Sequence, residues 1–448
     1  MGAGQGPSIP TMGRARSALA VACAGAALAV MQPASAQDSS RADAILDLPA
    51  AAREAIAWHP TVVRATEQLN AQEQRIDEVR SARYPQVSGG VGLGYDSTLR
   101  NDWRPSANIG VSQRLLDFGK LDSLTDIERS GVRVARAQVL LSVDSLLQDT
   151  AFSVIEILRG EMLHAAAAEQ VERVRAVGNL VDARFARGAA TRSDALQTQS
   201  RVDAAQSTIQ QIKAELLRWQ TNLAFLVGRD VAPPVSSVLP EAFASACAAN
   251  LETLDAPPLM QEARARLEQA EARLRNEKVS RMPTISLAGT GRSDLLDPLG
   301  EDRARYDFGV RVESSLFDGG AYRSRVRGAQ LAQAAAAADF AAARLESTRT
   351  FAEARAQESA LEDRAATLGQ RYTTMERTRE LYRLQYLELG TRTLVDLLNA
   401  DQELSQIRFD EINARYDLAR LAVVCLHSGG RLREVLGLGG EDLRGVRL

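Results

Sequence analysis

The sequence predicts an α+β membrane protein in which four amphipathic β-strands sit between very long coiled-coil helices, the whole arrangement occurring twice. Three observations carry that prediction. No proline falls between Pro105 and Pro233 or after Pro298, and those spans are rich in Ala, Leu, Arg, Glu and Gln, as long uninterrupted helices require. Four short stretches instead alternate apolar with small or polar residues, the period of two of a β-strand. Finally, Arg187-Gly188-Ala189-Ala190-Thr191-Arg192-Ser193-Asp194 matches Leu389-Gly390-Thr391-Arg392-Thr393-Leu394-Val395-Asp396 at a constant offset of 202 residues. A tandem repeat of this kind is hard to produce by chance.

Each matching stretch lies between two helical spans and reads as a tip where one helix turns back into the next. Gly188 and Gly390 stop the incoming helix, because glycine alone enters the left-handed region without steric cost. Thr191 and Thr393 open the outgoing helix, and Asp194 and Asp396 complete a variant capping box.

Residues 1–36 of the 448 read as an export signal: Arg14 and Arg16, an apolar stretch from Ala18 to Met31, then Ala34-Ser35-Ala36 before Gln37. Residues 1–11 add nothing to it, so Met1 and Met12 both stand as starts. Cleavage removes two arginines and no acid, moving the formal charge from −3 to −5, a mild balance that gives no sign of nucleic-acid binding. The mature sequence has no apolar run near the roughly 18 residues of a transmembrane helix. An exported chain of this kind is periplasmic, secreted or an outer-membrane β-barrel. Cys23 leaves with the signal. An oxidising compartment would let Cys247 and Cys425 pair, whereas the apolar helical register running through Cys425 favours a buried thiol.

Residues 37–228 form the first repeat. A helix over Ala55–Arg83 is interrupted early at His59-Pro60, where His59 begins a helix. Strands follow at ~84–98 and ~103–116. In the first, Val87, Val91, Leu93 and Tyr95 oppose Gln86, Ser88, Gly90, Gly92 and Gly94; in the second, Ala107, Ile109 and Val111 oppose Asn108, Gly110 and Ser112. Asp117-Phe118-Gly119 hands the chain to a helical span from Lys120 to Arg187, with Asp117 as an N-cap. Unbroken, those 68 residues make a rod of ~100 Å. The return helix runs to about Val227. In it Val202, Ile209, Leu216 and Leu223 step by seven, as do Ala205, Ile212, Trp219 and Leu226, the a and d positions of a coiled coil.

Residues 229–258, with Pro233-Pro234, Pro240 and Pro257-Pro258, make a linker or equatorial segment before the second repeat at 259–430. A helix spans Leu259–Val279, and Arg281-Met282-Pro283 echoes Arg83-Tyr84-Pro85. Strands follow at ~283–295 and ~304–317; in the latter Tyr306, Phe308, Val310 and Val312 alternate with Asp307, Gly309, Arg311 and Glu313. Phe317-Asp318-Gly319-Gly320 repeats the strand-to-helix turn of Asp117 and Gly119, so that Asp318 and Gly319 join that set. A helical span then runs to Leu389, and a return helix to about Leu426 carries Leu404, Leu418 and Cys425 with Ile407, Ala414 and Leu421, Glu411 being its one polar break. Residues 431–448 form a C-terminal tail.

An ordinary half-buried sheet alternates in the same way as these strands. Their length of about ten residues matches the span of a tilted strand across hydrocarbon, and Tyr84, Tyr95, Trp103 and Tyr306 fall near strand ends, where aromatic girdles sit. Four strands cannot close on themselves, and open edges in lipid leave backbone groups unpaired at several kcal/mol each. Several protomers must therefore share one barrel.

Export signal, two repeats of helix–strand–strand–helix–helix and the tip hairpins together resemble the TolC family of outer-membrane efflux and secretion proteins. The resemblance covers essentially the whole mature chain. It rests most specifically on Leu389 to Ala400, on the Asp-x-Gly turns at 117 and 318, and on Arg-x-Pro at 83 and 281. It implies four transmembrane strands per protomer, a homotrimer with a twelve-stranded barrel in the outer-membrane lipid, and a long periplasmic tunnel of helical rods. It also implies a passive duct opened by an inner-membrane ABC or proton-driven transporter through a periplasmic adaptor. The cargo would be proteins (type I secretion) or small molecules (multidrug efflux), and the Gly-Thr-Arg-Thr tip leans the reading slightly toward protein secretion.

By the same resemblance, Asp396 sits on a ring of carboxylates that narrows the tunnel, one per protomer. Arg392 holds the closed state by reaching toward Ser193 on the neighbouring hairpin, and Asp194 is a partner in the gate. Two positions depart from the family. Asn399 stands where many members have a second acid, and Leu387 stands where a gate tyrosine is expected, with Tyr386 one position off. Capping alone is the alternative for Asp194 and Asp396, each in the N3 position of its box, and it weighs more for Asp194, which lacks the fuller motif around it.

No catalytic constellation competes. His59, His164 and His427 lie far apart with no nucleophile motif, HExxH or CxxC beside them, and no Gly-rich phosphate loop is present. The reading is therefore not an enzyme, with no cofactor and no metal. A periplasmic coiled-coil scaffold or surface protein without a pore is the alternative; it shares the signal and heptads but has no need of paired amphipathic strands.

Overall fold

The computed structural model describes residues 45–96, 102–248, 257–295 and 304–448. The expected export signal, the turn within each strand pair and part of the linker lie outside the described residues. The first repeat comprises α1 (Leu48–Trp58), α2 (Pro60–Ser81), β1 (Gln86–Asp96), β2 (Asp102–Leu116), α3 (Lys120–Ala186) and α4 (Arg192–Val227). A short 3-10 segment (Glu241–Ala248) leads to α5 (Pro258–Val279), β3 (Thr284–Asp294), β4 (Ala304–Glu313), α6 (Ala321–Leu384) and α7 (Leu394–Ser428). Last come α8 (Leu432–Val435) and a hairpin of β5 (Asp442–Leu443) with β6 (Val446–Arg447). No helix among the described residues is long and apolar enough to cross a membrane.

The four long strands form one antiparallel sheet in the order β1-β2-β3-β4. Its register pairs Val87 with Val111, Gly89 with Ile109, Leu287 with Val310 and Gly289 with Phe308. One face is thus predominantly apolar across all four strands, and Val87, Val91, Leu93, Ile109, Phe308 and Val310 are exposed on it in the single chain. The other face pairs Gly90 with Asn108, Asn108 with Arg292, and Thr290 with Asp307. Tyr95 and Trp103 meet at the far end of the β1–β2 pair, ring centroids 5.9 Å apart. β4 ends at Glu313, short of the expected 317. Glu313 lies opposite Thr284, the first residue of β3, and Pro283 before it has no N–H to extend the ladder.

Each handover from sheet to long helix is made by a carboxylate and two left-handed residues. Asp117 accepts from the backbone N–H of Gly119 at 3.1 Å and of Leu121 at 2.9 Å. Asp318 accepts from Gly320 at 3.2 Å and Tyr322 at 2.7 Å. The N-cap position itself belongs to Gly119 and Gly320, so the aspartates cap from two residues upstream rather than as N-cap residues. The φ angles of Gly119 and Gly320 are 87° and 90°, and those of Phe118 and Gly319 are 54° and 65°. Gly320, not Gly319, is therefore the counterpart of Gly119, and Gly319 answers to Phe118.

α3 contains 67 residues and α6 contains 64, so each is a rod approaching 100 Å at about 1.5 Å per residue. The heptad positions Val202, Ala205 and Leu223 of α4 and Leu404, Ile407, Ala414 and Cys425 of α7 are buried. The main core lies where the middle stretches of α3 and α6 and the C-terminal ends of α4 and α7 meet α1, the 3-10 segment and the C-terminal residues. Leu147, Ile155, Leu223, Leu426, Leu432, Leu436 and Leu438 are fully buried there. The expected tail is thus folded, and its glycines let short elements turn while four apolar side chains, Val446 among them, reach the core.

Cys247 and Cys425 form a disulfide with their Cα atoms 5.2 Å apart. That corrects the buried-thiol reading: Cys425 does lie on the buried stripe of α7, but the 3-10 segment folds Cys247 against it. On the same core, Arg433 of α8 approaches the carboxylate of Asp144 on α3 at 3.0 Å. Burial pushes the Asp144 carboxyl up to about 6, against the opposing pull of the guanidinium.

Candidate functional site: the paired hairpin tips

The two expected tips are helical hairpins of similar construction. Gly188 (φ 74°) follows α3 and Gly390 (φ 65°) ends the α6 span. Thr191 accepts from the N–H of Asp194 at 3.2 Å while Asp194 accepts from the N–H of Thr191 at 2.9 Å. Thr393 and Asp396 repeat the exchange at 3.2 Å in both directions. These bonds to the backbone N–H of Thr191 and Thr393 hold both carboxyls below the usual carboxylate range.

The incoming halves differ. After α3, the N–H of Gly188 bonds to the carbonyl of Phe185 at 2.9 Å and that of Ala189 to Arg184 at 2.8 Å, the paired closure of a Schellman motif. After α6, Gln385–Leu389 forms a π-helical turn, and Gly390 and Thr391 both donate to the carbonyl of Gln385. Sequence periodicity does not report this one-residue widening, because each side chain changes phase by less than a turn. π-turns recur at functional sites.

Within one chain the two tips pack on each other. Val177 and Val181 of α3 meet Tyr386, Leu394, Leu397 and Leu398, with Leu387 partly buried beside them. Tyr386 is the aromatic facing the first hairpin: the Arg184 guanidinium lies 4.8 Å from its ring centre and donates to its carbonyl at 3.1 Å. Arg392 stays on its own hairpin, 4.4 Å above the Tyr382 ring, 3.3 Å from Gln385 Oε1 and 4.0 Å from Asp396. The Ser193 hydroxyl bonds instead to Thr191 at 2.9 Å, so no hydrogen bond joins Arg392 to Ser193 in the single chain. Asn399 accepts from Arg201 of α4 at 3.2 Å.

One acid that pattern reading missed lies just beyond. Asp401 is 1 % exposed and stands 3.0 Å from Arg379 of α6 and 3.4 Å from Arg173 of α3. Its position on the apolar stripe between Leu397 and Leu404 is the signal that marks it, since an acid there must be paired when buried. Among the described residues no group of His, Cys, Asp or Glu is arranged to hold a metal ion.

Comparison with known proteins agrees with this architecture. The model of the family described as "Outer membrane efflux protein" matches residues 51–229 and 252–423. The chain therefore belongs to the outer membrane efflux protein family, with the TolC-like fold that the sequence pattern resembles. It is 24 % identical over 399 residues to the outer membrane efflux protein BepC of Brucella suis, covering 83 % of this chain and 82 % of that one. The solved structure of the outer membrane protein VceC of Vibrio cholerae superposes with a TM-score of 0.75 at 16 % identity, over 86 % of this chain and 96 % of VceC. The channel protein CusC superposes with a TM-score of 0.75 at 17 % identity, over 87 % and 93 %. The protein is an outer-membrane channel whose long helices extend into the periplasm.

Proposed function

We propose that the chain works as a homotrimer whose three sheets close one twelve-stranded barrel in the outer membrane, continued by a helical tunnel, as a passive exit duct rather than an enzyme. The observation that carries this reading is the sheet. It has one predominantly apolar face, a polar and glycine-rich opposite face, and two unpaired edges on β1 and β4. Such edges are tolerated in lipid only when neighbouring copies pair them. In the trimer the tips form the periplasmic entrance, with three Asp396 carboxylates around the axis and Asp194 and Arg392 beside them. Asn399 leaves that ring at three charges instead of six.

An inner-membrane transporter, ABC or proton-driven, would deliver cargo through a periplasmic adaptor that opens this entrance. Similarity to a protein named for efflux supports small-molecule export, and type I protein secretion is the second form of the same reading. Deleting the gene and comparing secretome with drug and detergent susceptibility on the same cultures tests both. Hypersensitivity with an intact secretome assigns efflux, and loss of one or a few large secreted proteins assigns secretion. No change in either, together with no heat-modifiable barrel in detergent, returns the chain to the scaffold reading.

A further inference from the structure

We infer that the lumen of the barrel is an anion site, in which two rings of arginine take carboxylate or phosphate groups carried by the cargo. The inference rests on the duct reading above, which turns the polar face of the sheet toward the lumen. Side chains of that face recur at every second residue of a strand, so the pairing register assigns them rung by rung.

One rung runs Gly90, Asn108, Arg292 and Arg305 across β1 to β4. Arg292 thus lies directly opposite Arg305, a placement of like charges that costs stability in a sheet. Arg292 donates to the Ser106 hydroxyl at 3.5 Å and has no ion pair among the described residues. Six residues away along β3 and β4, about 20 Å, a second rung runs Arg114, Ser286 and Arg311. Arg114 is held by Asp117 at 3.1 Å, whereas Arg311 is exposed and has no ion pair among the described residues. Gly309 stands between the two rungs on β4, and a Cβ added there would meet nothing within 4 Å. Room for a ligand therefore adjoins the Arg311 guanidinium.

The acids of this face are placed differently. Asp307 accepts from the Thr290 hydroxyl beside it, and Glu313 lies at the base of the sheet opposite Thr284. In a trimer Arg292 and Arg305 would circle the lumen at one height and Arg311 at another, the arrangement by which pores select anions and phosphates. Guanidinium is also the group that matches carboxylate and phosphate in paired hydrogen bonds. The duct would then carry opposite charge at its two ends, with carboxylates of Asp396 at the entrance and arginines in the barrel. Removing the entrance charge should unmask the preference of the barrel.

Full-length trimers in planar bilayers test the site, with pyrophosphate as the probe on the barrel side. The parent should be blocked, and Arg292→Gln combined with Arg311→Gln should weaken that block about fivefold at ~0.1 M salt, the sum of six screened charges around the lumen. In a KCl gradient, Asp396→Ala should favour chloride, and adding the two glutamines should abolish that preference. Arg292→Lys with Arg311→Lys keeps the charge and should keep both effects. Each single glutamine variant should show a smaller loss of the same sign, which carries the test if the double variant does not assemble. Parental block and chloride preference in assembled glutamine variants overturn the anion site, and so does a parent channel that pyrophosphate does not block. Absence of any channel from the wild-type protein refutes the duct reading instead.

Discussion

Phe118 and Gly319 occupy the same place in the two repeats, one residue after the capping aspartate, and both are left-handed, with φ angles of 54° and 65°. A bulky residue there carries strain of about 1–2 kcal/mol that glycine does not. Phe118→Gly should therefore leave stability unchanged or raise it slightly, and Gly320→Ala, where φ is 90°, should lower it by about 1 kcal/mol. Nothing lies within 4 Å of an added Cβ at Gly320, so the effect comes from the backbone alone. Thermal unfolding of the detergent-solubilised protein reads both.

The Cys247–Cys425 disulfide closes a sequence separation of 178 residues. Chain-entropy arguments assign such a loop about 5 kcal/mol as an upper figure. The double substitution Cys247→Ala with Cys425→Ala should lower the midpoint of thermal unfolding by several degrees while leaving the tip hairpins intact. An unchanged midpoint would mean that segment 241–248 docks through its apolar contacts alone.

Asp144 makes stability depend on pH in the opposite sense to a surface ion pair. Its folded-state carboxyl is raised from 3.8 to about 6, so the folded chain binds the extra proton between those values. Stability should fall as pH rises through that window, by on the order of 3 kcal/mol, and stay level above it. Asp144→Asn should flatten the curve there. Denaturant titrations from pH 4 to 7 in steps, on both proteins, check the slope.

The carboxyls of Asp194 and Asp396 are lowered by their caps, so the capping contribution is present above the ordinary carboxylate range and lost as pH falls through the depressed values. Thr393→Ala should cost about 1 kcal/mol of stability with little change in ion block. Asp396→Ala should in addition weaken multivalent-cation block in bilayers. An identical block curve for Asp396→Ala and the parent would leave capping as the whole role of the residue.

The repeat was legible because helix and strand impose periods that the side chains must follow. Proline exclusion over 106–232 outlined α3 and α4, and alternation such as Tyr306, Phe308 and Val310 marked β4 and its apolar face. The Gly-x-x-Thr-x-x-Asp tips were equally plain, since a left-handed stop and a cap each need particular residue types. The buried Asp401 cluster was not, because Arg173, Arg379 and Asp401 come from three helices and only their meeting pairs the charges. The π-turn before Gly390 was hidden for a similar reason: it changes one residue of phase within a composition that any α-helix accepts.

Sequence alone determined where the long helices, the four long strands and the two tip turns fall, that the plan occurs twice, and that the strands present one apolar face. These are local matters, set by backbone sterics and by the period at which apolar residues recur. Tertiary structure decided that Cys247 pairs with Cys425, that Tyr386 faces Arg184, that Arg392 rests on its own hairpin, and that Asp401 is sealed between two guanidiniums. Each of those depends on residues from 7 to 228 positions apart being brought within a few ångströms, and such encounters are chosen by the packing of the whole chain.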